Sequence, residues 1–316
     1  MPPEPPRLVT ALAPAKLNLD LRVLGKRDDG YHELASLFVG VGIYDTLRFR
    51  ASDESGDRLQ VRGGGADVSA GADNLVLRAA AALRERAEAD KRECPGASIE
   101  LTKRIPSQAG LGGGSSDAAA TLVSLNSLWG LGFGKPVLHE VAAGIGSDVN
   151  FFVEQRPVAV CTGRGEIVRP IRCSNDHWFT VVKPSMPAAT GAIFSAFSHE
   201  MHRNGHSPPY LRFGQNVKLN DLRIAATRFA NVLQTPAIQV TPGLGEWLRR
   251  LRRVTRSNDW RMTGSGTSFF AAASTRRQAG RMARSAREVD AGDLDSGRTR
   301  TFIAPVASLR LFDSVP

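Results

Sequence analysis

Cysteine is scarce in this chain: Cys94, Cys161 and Cys173 are odd in number and lie far apart. They make neither a disulfide framework nor a CxxC zinc site, which predicts a reducing, cytosolic setting. No run approaches the ~18–20 apolar residues of a membrane span. The opening MPPEPPRLVT lacks the cationic and apolar regions of a signal peptide and reads as a frayed arm. Acidic residues fall short of basic ones, 31 against 41, giving a formal net charge of +10. Such a surplus suits a nucleic-acid or membrane surface, or an anionic small substrate. The arginines are spread along the chain with one denser run at Arg249–Arg256, which favours the small substrate. No zinc finger, RNA-binding signature or aromatic–basic interleaving is present. His199, His202 and His206 do not have HExxH spacing, and Gly205, Pro208 and Pro209 interrupt them, so no metal site is expected.

What is present is a chain of 316 residues, long enough for roughly two domains of about 150 residues. Residues 15–23, AKLNLDLRV, alternate strictly. Leu17, Leu19, Leu21 and Val23 share one strand face, and Lys16, Asn18, Asp20 and Arg22 share the other, expected to be wetter. A turn follows over Gly25–His32, with Asp29-Gly30 as the hairpin signal. Strands are expected at Thr46–Arg50, Leu59–Arg62, Ser98–Thr102, Val158–Cys161, Trp178–Lys183 and Thr301–Ile303, with a strand–turn–strand at Arg261–Ala271. Helices are expected at Asn74–Ala89, from Ser115 or Ser116 through Trp129, and at Lys135–Ala143, Asn220–Leu233, Leu244–Val254 and Thr275–Glu288. His199–Gly214 reads as a polar surface excursion. Hairpins mixed with strand–helix alternation point to an α+β fold.

The most informative stretch is Pro106–Ser116, P-S-Q-A-G-L-G-G-G-S-S, running into a helix. Four glycines in five residues lose much chain entropy on folding. Their use is to let backbone N–H groups approach a ligand closely, and a helix N-terminus adds the positive end of its dipole. Ser115 and Ser116 add hydroxyls for phosphate or Mg²⁺. The loop is not Walker A, because no Lys follows Gly114. It is not GxGxxG, because Ser115 stands where the last glycine belongs. Protein-kinase signatures are absent.

The pattern resembles the second motif of the GHMP kinase superfamily, P-x-x-x-G-L-G-S/G-S-S. Pro14–Leu34 carries P-A-K-L-N-L-x-L-x-V-x-G-x-R-x-D-G-Y-H-x-L, which looks like the first motif of the branch that phosphorylates 4-diphosphocytidyl-2-C-methyl-D-erythritol. Gly146–Val153, Thr162–Glu166 and Met262–Ala271 are similar to further motifs in the same order. Ser147 and Asn150 depart from the usual Ala and Pro around the aspartate.

The resemblance implies two domains, divided as 1–172 and 173–316. The first would be a ribosomal protein S5 domain 2-like α/β unit and the second a ferredoxin-like α+β unit, with the active site in the cleft between them. It implies ATP and Mg²⁺ as cofactors, the cytidylyl polyol as small-molecule substrate, and no nucleic-acid or membrane partner. A monomer or weak homodimer is expected. Lys16 and Asp148 would be the catalytic pair, although alone they read as a strand lysine and a turn aspartate. Pro106, Ser107, Gln108, Ala109, Gly110, Leu111, Gly112, Gly113, Gly114, Ser115 and Ser116 would hold the nucleotide. Asn74, also readable as a helix cap, would lie against its adenosine. Asn18 would bind the polyol. Tyr31 and Phe194 would sandwich the cytosine with His32 on its edge, and Phe194 reads equally as a core residue. Thr190, Gly264, Ser265 and Gly266 complete the expected substrate site.

Overall fold

The computed structural model describes residues 8–54, 56–64, 68–172, 177–187, 189–204, 230–290 and 299–307. Two long strands, β1 (Leu8–Lys26) and β2 (His32–Ser52), form a hairpin closed at Lys26 and His32. Its turn is the expected one. Gly30 has φ 84°, and the amide of Arg27 donates to the carbonyl of Tyr31. β3 (Asp57–Gly63) runs parallel to β4 (Gly96–Lys103), and β4 lies against the second half of β2. β5 (Val158–Gly163) pairs with the first half of β2, and β6 (Ile167–Pro170) pairs with β5. The strand expected at Thr46–Arg50 is thus the end of a far longer one. Residues 34–43 lack the period-two pattern because both of their faces are covered, and continuous apolar runs mark such strands.

Four helices pack on one side of this sheet: α1 (Leu75–Ala89), α2 (Gly113–Leu128), α3 (Lys135–Ile145) and α4 (Val149–Val153). Their shared core includes Leu83, Ala118, Leu122, Leu125, Phe151 and Phe152 against Leu47, Phe49 and Ile99. Asn74 caps α1, its side chain accepting from the amide of Val76 at 2.9 Å. α2 begins at Gly113, two or three residues before the expected start at Ser115 or Ser116, with Gly112 as its N-cap at φ 68°. The glycines are therefore part of the helix entry as well as the loop. α4 escaped the sequence reading because five residues do not complete two helical turns.

A second sheet has the order β10 (Arg300–Pro305), β7 (Trp178–Lys183), β9 (Phe269–Ala273), β8 (Arg261–Met262), each pair antiparallel. α5 (Thr190–Asn204), α6 (Gln234–Val240), α7 (Leu244–Thr255) and α8 (Arg276–Ala286) accompany it. α7 buries Leu244, Trp247, Leu248 and Leu251 and leaves its arginine-rich side outward, as an amphipathic helix should. The two sheets share a core of Leu17, Leu19, Leu37, Val39, Phe179, Val181 and Phe270. A third cluster joins Leu21 and Val23 of β1 to Phe197, Trp247, Trp260 and Phe269. The architecture is α+β, as expected.

Two expectations need correcting. The start of the His199–Gly214 excursion is helical, since α5 continues to Asn204; residues 205–214 lie outside the described ones. Of the helix expected at Asn220–Leu233, residues 220–229 are likewise outside, and Asn231 forms a bridge with Leu21. The Pro-rich arm and Cys173 also lie outside the described residues.

Candidate active site

The polar face of β1 is the foundation. Lys16, Asn18 and Asp20 are 4%, 3% and 2% exposed, so this face is not the wetter one the alternation suggested. Gly112 and Asp148 close over Lys16, and Thr263 and Ala230 from the second half of the chain close over Asn18 and Asp20. Burial of three polar side chains demands partners. Lys16 Nζ donates to Asn18 Oδ1 at 2.5 Å and lies 3.3 Å from Asp148 Oδ2. Its ammonium also sits 4.7 Å from the centre of the Phe38 ring. Asn18 Nδ2 donates to Ser36 Oγ at 2.9 Å, and that hydroxyl donates to the carbonyl of Asp20 at 2.5 Å. Asp20 pairs with Arg22 and accepts from the amide of Ala230. A bulge between Asn18 and Asp20 marks the strand here, a common device for re-aiming side chains.

Asp148 stands at the N-terminus of α4 and is 26% exposed beside the buried Lys16. The ammonium is thus sequestered while the carboxylate opens to a cavity of about 240 Å³. That cavity is lined by Lys16, Asn18, Ser36, Phe38, Ser147, Asp148, Arg164, Phe194, Gly264 and Ser265, among others. Cys161 lies in its wall; burial and the nearby Asp148 charge push its thiol well up, so it stays protonated. The departure at Asn150 has a local role, since its amide donates to the carbonyl of Glu166 at 2.9 Å and ties α4 to the β5–β6 turn.

A second cavity, of about 400 Å³, is lined by every residue from Pro106 to Ser115, together with Asn74, Leu75, Lys103 and Asp117. Gly110 and Gly112 belong to both cavities. At Gly112 a Cβ would stand 2.9 Å from Lys16 Cγ, and at Gly110 one would stand 2.3 Å from the carbonyl oxygen of Thr263. Only glycine lets this backbone lie between the two cavities. Ser115 lines the cavity, whereas Ser116 is fully buried and its hydroxyl has no partner among the described residues.

Thr263 joins the halves of the chain. Its Oγ1 accepts from the amide of Asn18 at 2.9 Å and lies 3.4 Å from the carbonyl of Gly110. Gly264 and Ser265 enter the smaller cavity, and Gly266 turns back, donating to the carbonyl of Thr263. Thr190 Oγ1 is 3.0 Å from Ser265 Oγ. His32 stacks on Phe194 with centroids 5.0 Å apart, and its Nε2 lies 3.1 Å from Ser198 Oγ. Burial, helped by Lys26, lowers the His32 pKa. Tyr31 is 55% exposed, and the Arg164 guanidinium lies 4.9 Å from its ring centre. The ring that Phe194 faces is therefore His32, with Tyr31 set farther out.

Sequence reasoning missed Ser36, Phe38, Thr263, Lys103, Asp117 and Asp45. For Lys103 and Asp117 a signal existed: a lysine ending the strand before the loop and an aspartate just past its serines. Ser36 and Phe38 lie in an apolar run without period, and nothing in it marks a site.

Residues 74–155 match the GHMP kinases N terminal domain. The chain is 40% identical over 265 residues to a 4-diphosphocytidyl-2-C-methyl-D-erythritol kinase of Paracidovorax citrulli, covering 82% of this chain and 85% of that one. It is 39% identical to the enzyme of that name from Paramagnetospirillum magneticum, with 82% and 86% covered. A crystal structure of 4-(cytidine 5'-diphospho)-2C-methyl-D-erythritol kinase superimposes with a TM-score of 0.72 at 31% identity, over 94% of this chain and 100% of that one. A homoserine kinase from Cytophaga hutchinsonii shares the fold at 17% identity and a TM-score of 0.65, over 96% of each chain. With these relatives so similar over most of its length, the chain has the GHMP kinase fold and belongs to the family of 4-diphosphocytidyl-2-C-methyl-D-erythritol kinases.

Proposed function

We propose that this chain transfers the γ-phosphoryl group of ATP to the 2-hydroxyl of 4-diphosphocytidyl-2-C-methyl-D-erythritol, releasing ADP and the 2-phosphate. The observation that carries this reading is the pair of cavities meeting at Gly110 and Gly112, with Lys16 and Asp148 on one side. The larger cavity falls within the range of small-molecule sites, about 300–1,000 Å³. Its glycine backbone is packed too closely against Thr263 and Ile105 to admit a Cβ at Gly110 or Gly113, and it opens α2, whose dipole favours phosphate. The triphosphate would lie here, with its adenosine toward Asn74.

Phosphoryl transfer asks for positioning and charge stabilisation more than covalent chemistry. The acceptor hydroxyl would sit against Asp148, which accepts its hydrogen bond and aligns it for in-line attack. Lys16, held by Asn18, would spread the charge that develops on the transferring oxygens. The hydroxyl of Ser115 suits Mg²⁺, a hard cation that keeps waters and binds chiefly through substrate phosphates; it would neutralise phosphate charge. His32 and Phe194 would face the cytosine, with base stacking worth about 1–3 kcal/mol.

The same proposal includes a division of the chain near residue 172, supported by the change of sheet between Pro170 and Trp178. It also includes a reducing cytosolic setting, supported by the free thiols of Cys94 and Cys161. Among the described residues no helix is long and apolar enough to cross a membrane. The test is direct: purified protein with ATP, Mg²⁺ and the cytidylyl polyol should release ADP. Turnover on mevalonate or homoserine instead would redirect the reading to another GHMP substrate.

A further inference from the structure

Beneath the glycine loop lies a buried cluster that the proposed chemistry does not use. Lys103, the last residue of β4, is 8% exposed, and Asp45 of β2 and Asp117 of α2 are 0% and 2% exposed. Lys103 Nζ donates to Asp45 Oδ2 at 2.5 Å and to Asp117 Oδ2 at 2.7 Å. Asp45 Oδ1 also accepts from the amides of Arg104 and Ile105, at 2.5 and 2.9 Å. Both ends of the loop are thereby fastened to one point. Its incoming strand is held by Asp45 directly, and its outgoing helix is held by Asp117 through Lys103. The ammonium also lies 3.2 Å from where a Cβ on Gly113 would stand, so it is packed under the helix entry itself.

We propose that Asp45, Lys103 and Asp117 form a clamp of positioning residues that sets the shape of the phosphate loop, and hence nucleotide affinity, without acting on the acceptor. The physical reason is geometric. A loop with four glycines has much freedom to lose, and amides that must converge on one triphosphate need both ends held. A lysine between two carboxylates holds three segments with one point charge. A buried site makes each of those hydrogen bonds strong but leaves a heavy penalty if one is removed. Two carboxylates on one ammonium would also leave excess negative charge under a polyphosphate. Asp117 Oδ1 is buried with no donor facing it among the described residues, a place for a proton rather than for a charge. A neutral Asp117 leaves the clamp with one cation and one anion.

The clamp rests on the nucleotide assignment made above, so the experiment separates the two. MgATP binding to the wild-type protein is measured by calorimetry, and KM values for ATP and for the acceptor are measured in turnover. Asp117→Ala should raise the ATP Kd and KM by about tenfold or more, as losing a hydrogen bond to a charged group would, while the acceptor KM stays within about twofold. Asp117→Asn, of the same shape and neutral, should restore ATP binding to near wild type. If Asp117→Ala does not fold, Lys103→Arg reads the same split, since it keeps the charge but not the compact point geometry. An unchanged ATP Kd in Asp117→Ala, or in Lys103→Arg where that variant stands in for it, overturns the clamp alone, and so do equal shifts in both KM values. A wild-type protein that binds no MgATP overturns the functional reading and the clamp with it.

Discussion

At the scale of single residues, burial decides what each charged group can do. Lys16 is almost enclosed, while Asp148 reaches solvent through the smaller cavity. Asp148→Ala is expected to lower kcat by about 10²–10⁴, the usual worth of a positioned acid–base group. Both ligands should still bind, and a KM–kcat analysis shows this; turnover near wild type would remove Asp148 from the proposed mechanism. Asp117 makes a different prediction. Its burial, with the Asp45 carboxylate adding to the effect against the pull of Lys103, pushes its pKa well above the usual carboxylate range. From about pH 4 upward the unfolded chain has released that proton while the folded protein still holds it. Stability therefore falls as pH rises through the window up to the raised value, and levels off above it. Asp117→Asn has no proton to lose, so its Tm relative to wild type should climb as pH rises from 4. Parallel Tm curves for the two proteins would contradict this assignment.

At the scale of elements, the glycine loop was legible in the sequence because four closely spaced glycines have few other uses, and its entry into α2 was read within three residues. The strand carrying Lys16 and Asn18 was equally plain from its alternation, yet its faces were misjudged. Alternation reports that two faces differ in polarity, and it cannot say whether water or another part of the chain covers the polar one. Thr263 was invisible for a related reason: its hydrogen bonds reach Asn18 and Gly110, far away in the chain. Gly112 tests the loop as an element. With φ 68° and Lys16 Cγ 2.9 Å from a modest added methyl, Gly112→Ala should displace the lysine and strain the backbone by about 1–2 kcal/mol. The expected result is a drop in kcat together with a lower midpoint in urea; unchanged kcat would show that the loop tolerates a side chain there.

At the scale of the molecule, the two sheets meet through Leu17, Leu37, Phe179 and Phe270, and this contact holds the site's two halves together. The Phe179 and Phe270 rings pack edge to face at 6.1 Å. Phe270→Ala should cost about 3–5 kcal/mol, as large-to-small changes in a core do, read from denaturant unfolding. A loss under 1 kcal/mol would mean the sheets are joined elsewhere. The sequence by itself determined most of the strands and helices, the glycine loop and the residue types of a kinase, because these depend on local periodicity and on residues close in the chain; the first half of β2 and the short β6 carried no such pattern. Only the tertiary structure decided that β1's polar face is buried, that Lys16 meets Asp148, and that Asp45 and Asp117 share the ammonium of Lys103. Those contacts join residues far apart along the chain, and local pattern carries no information about which distant segment will cover a given face.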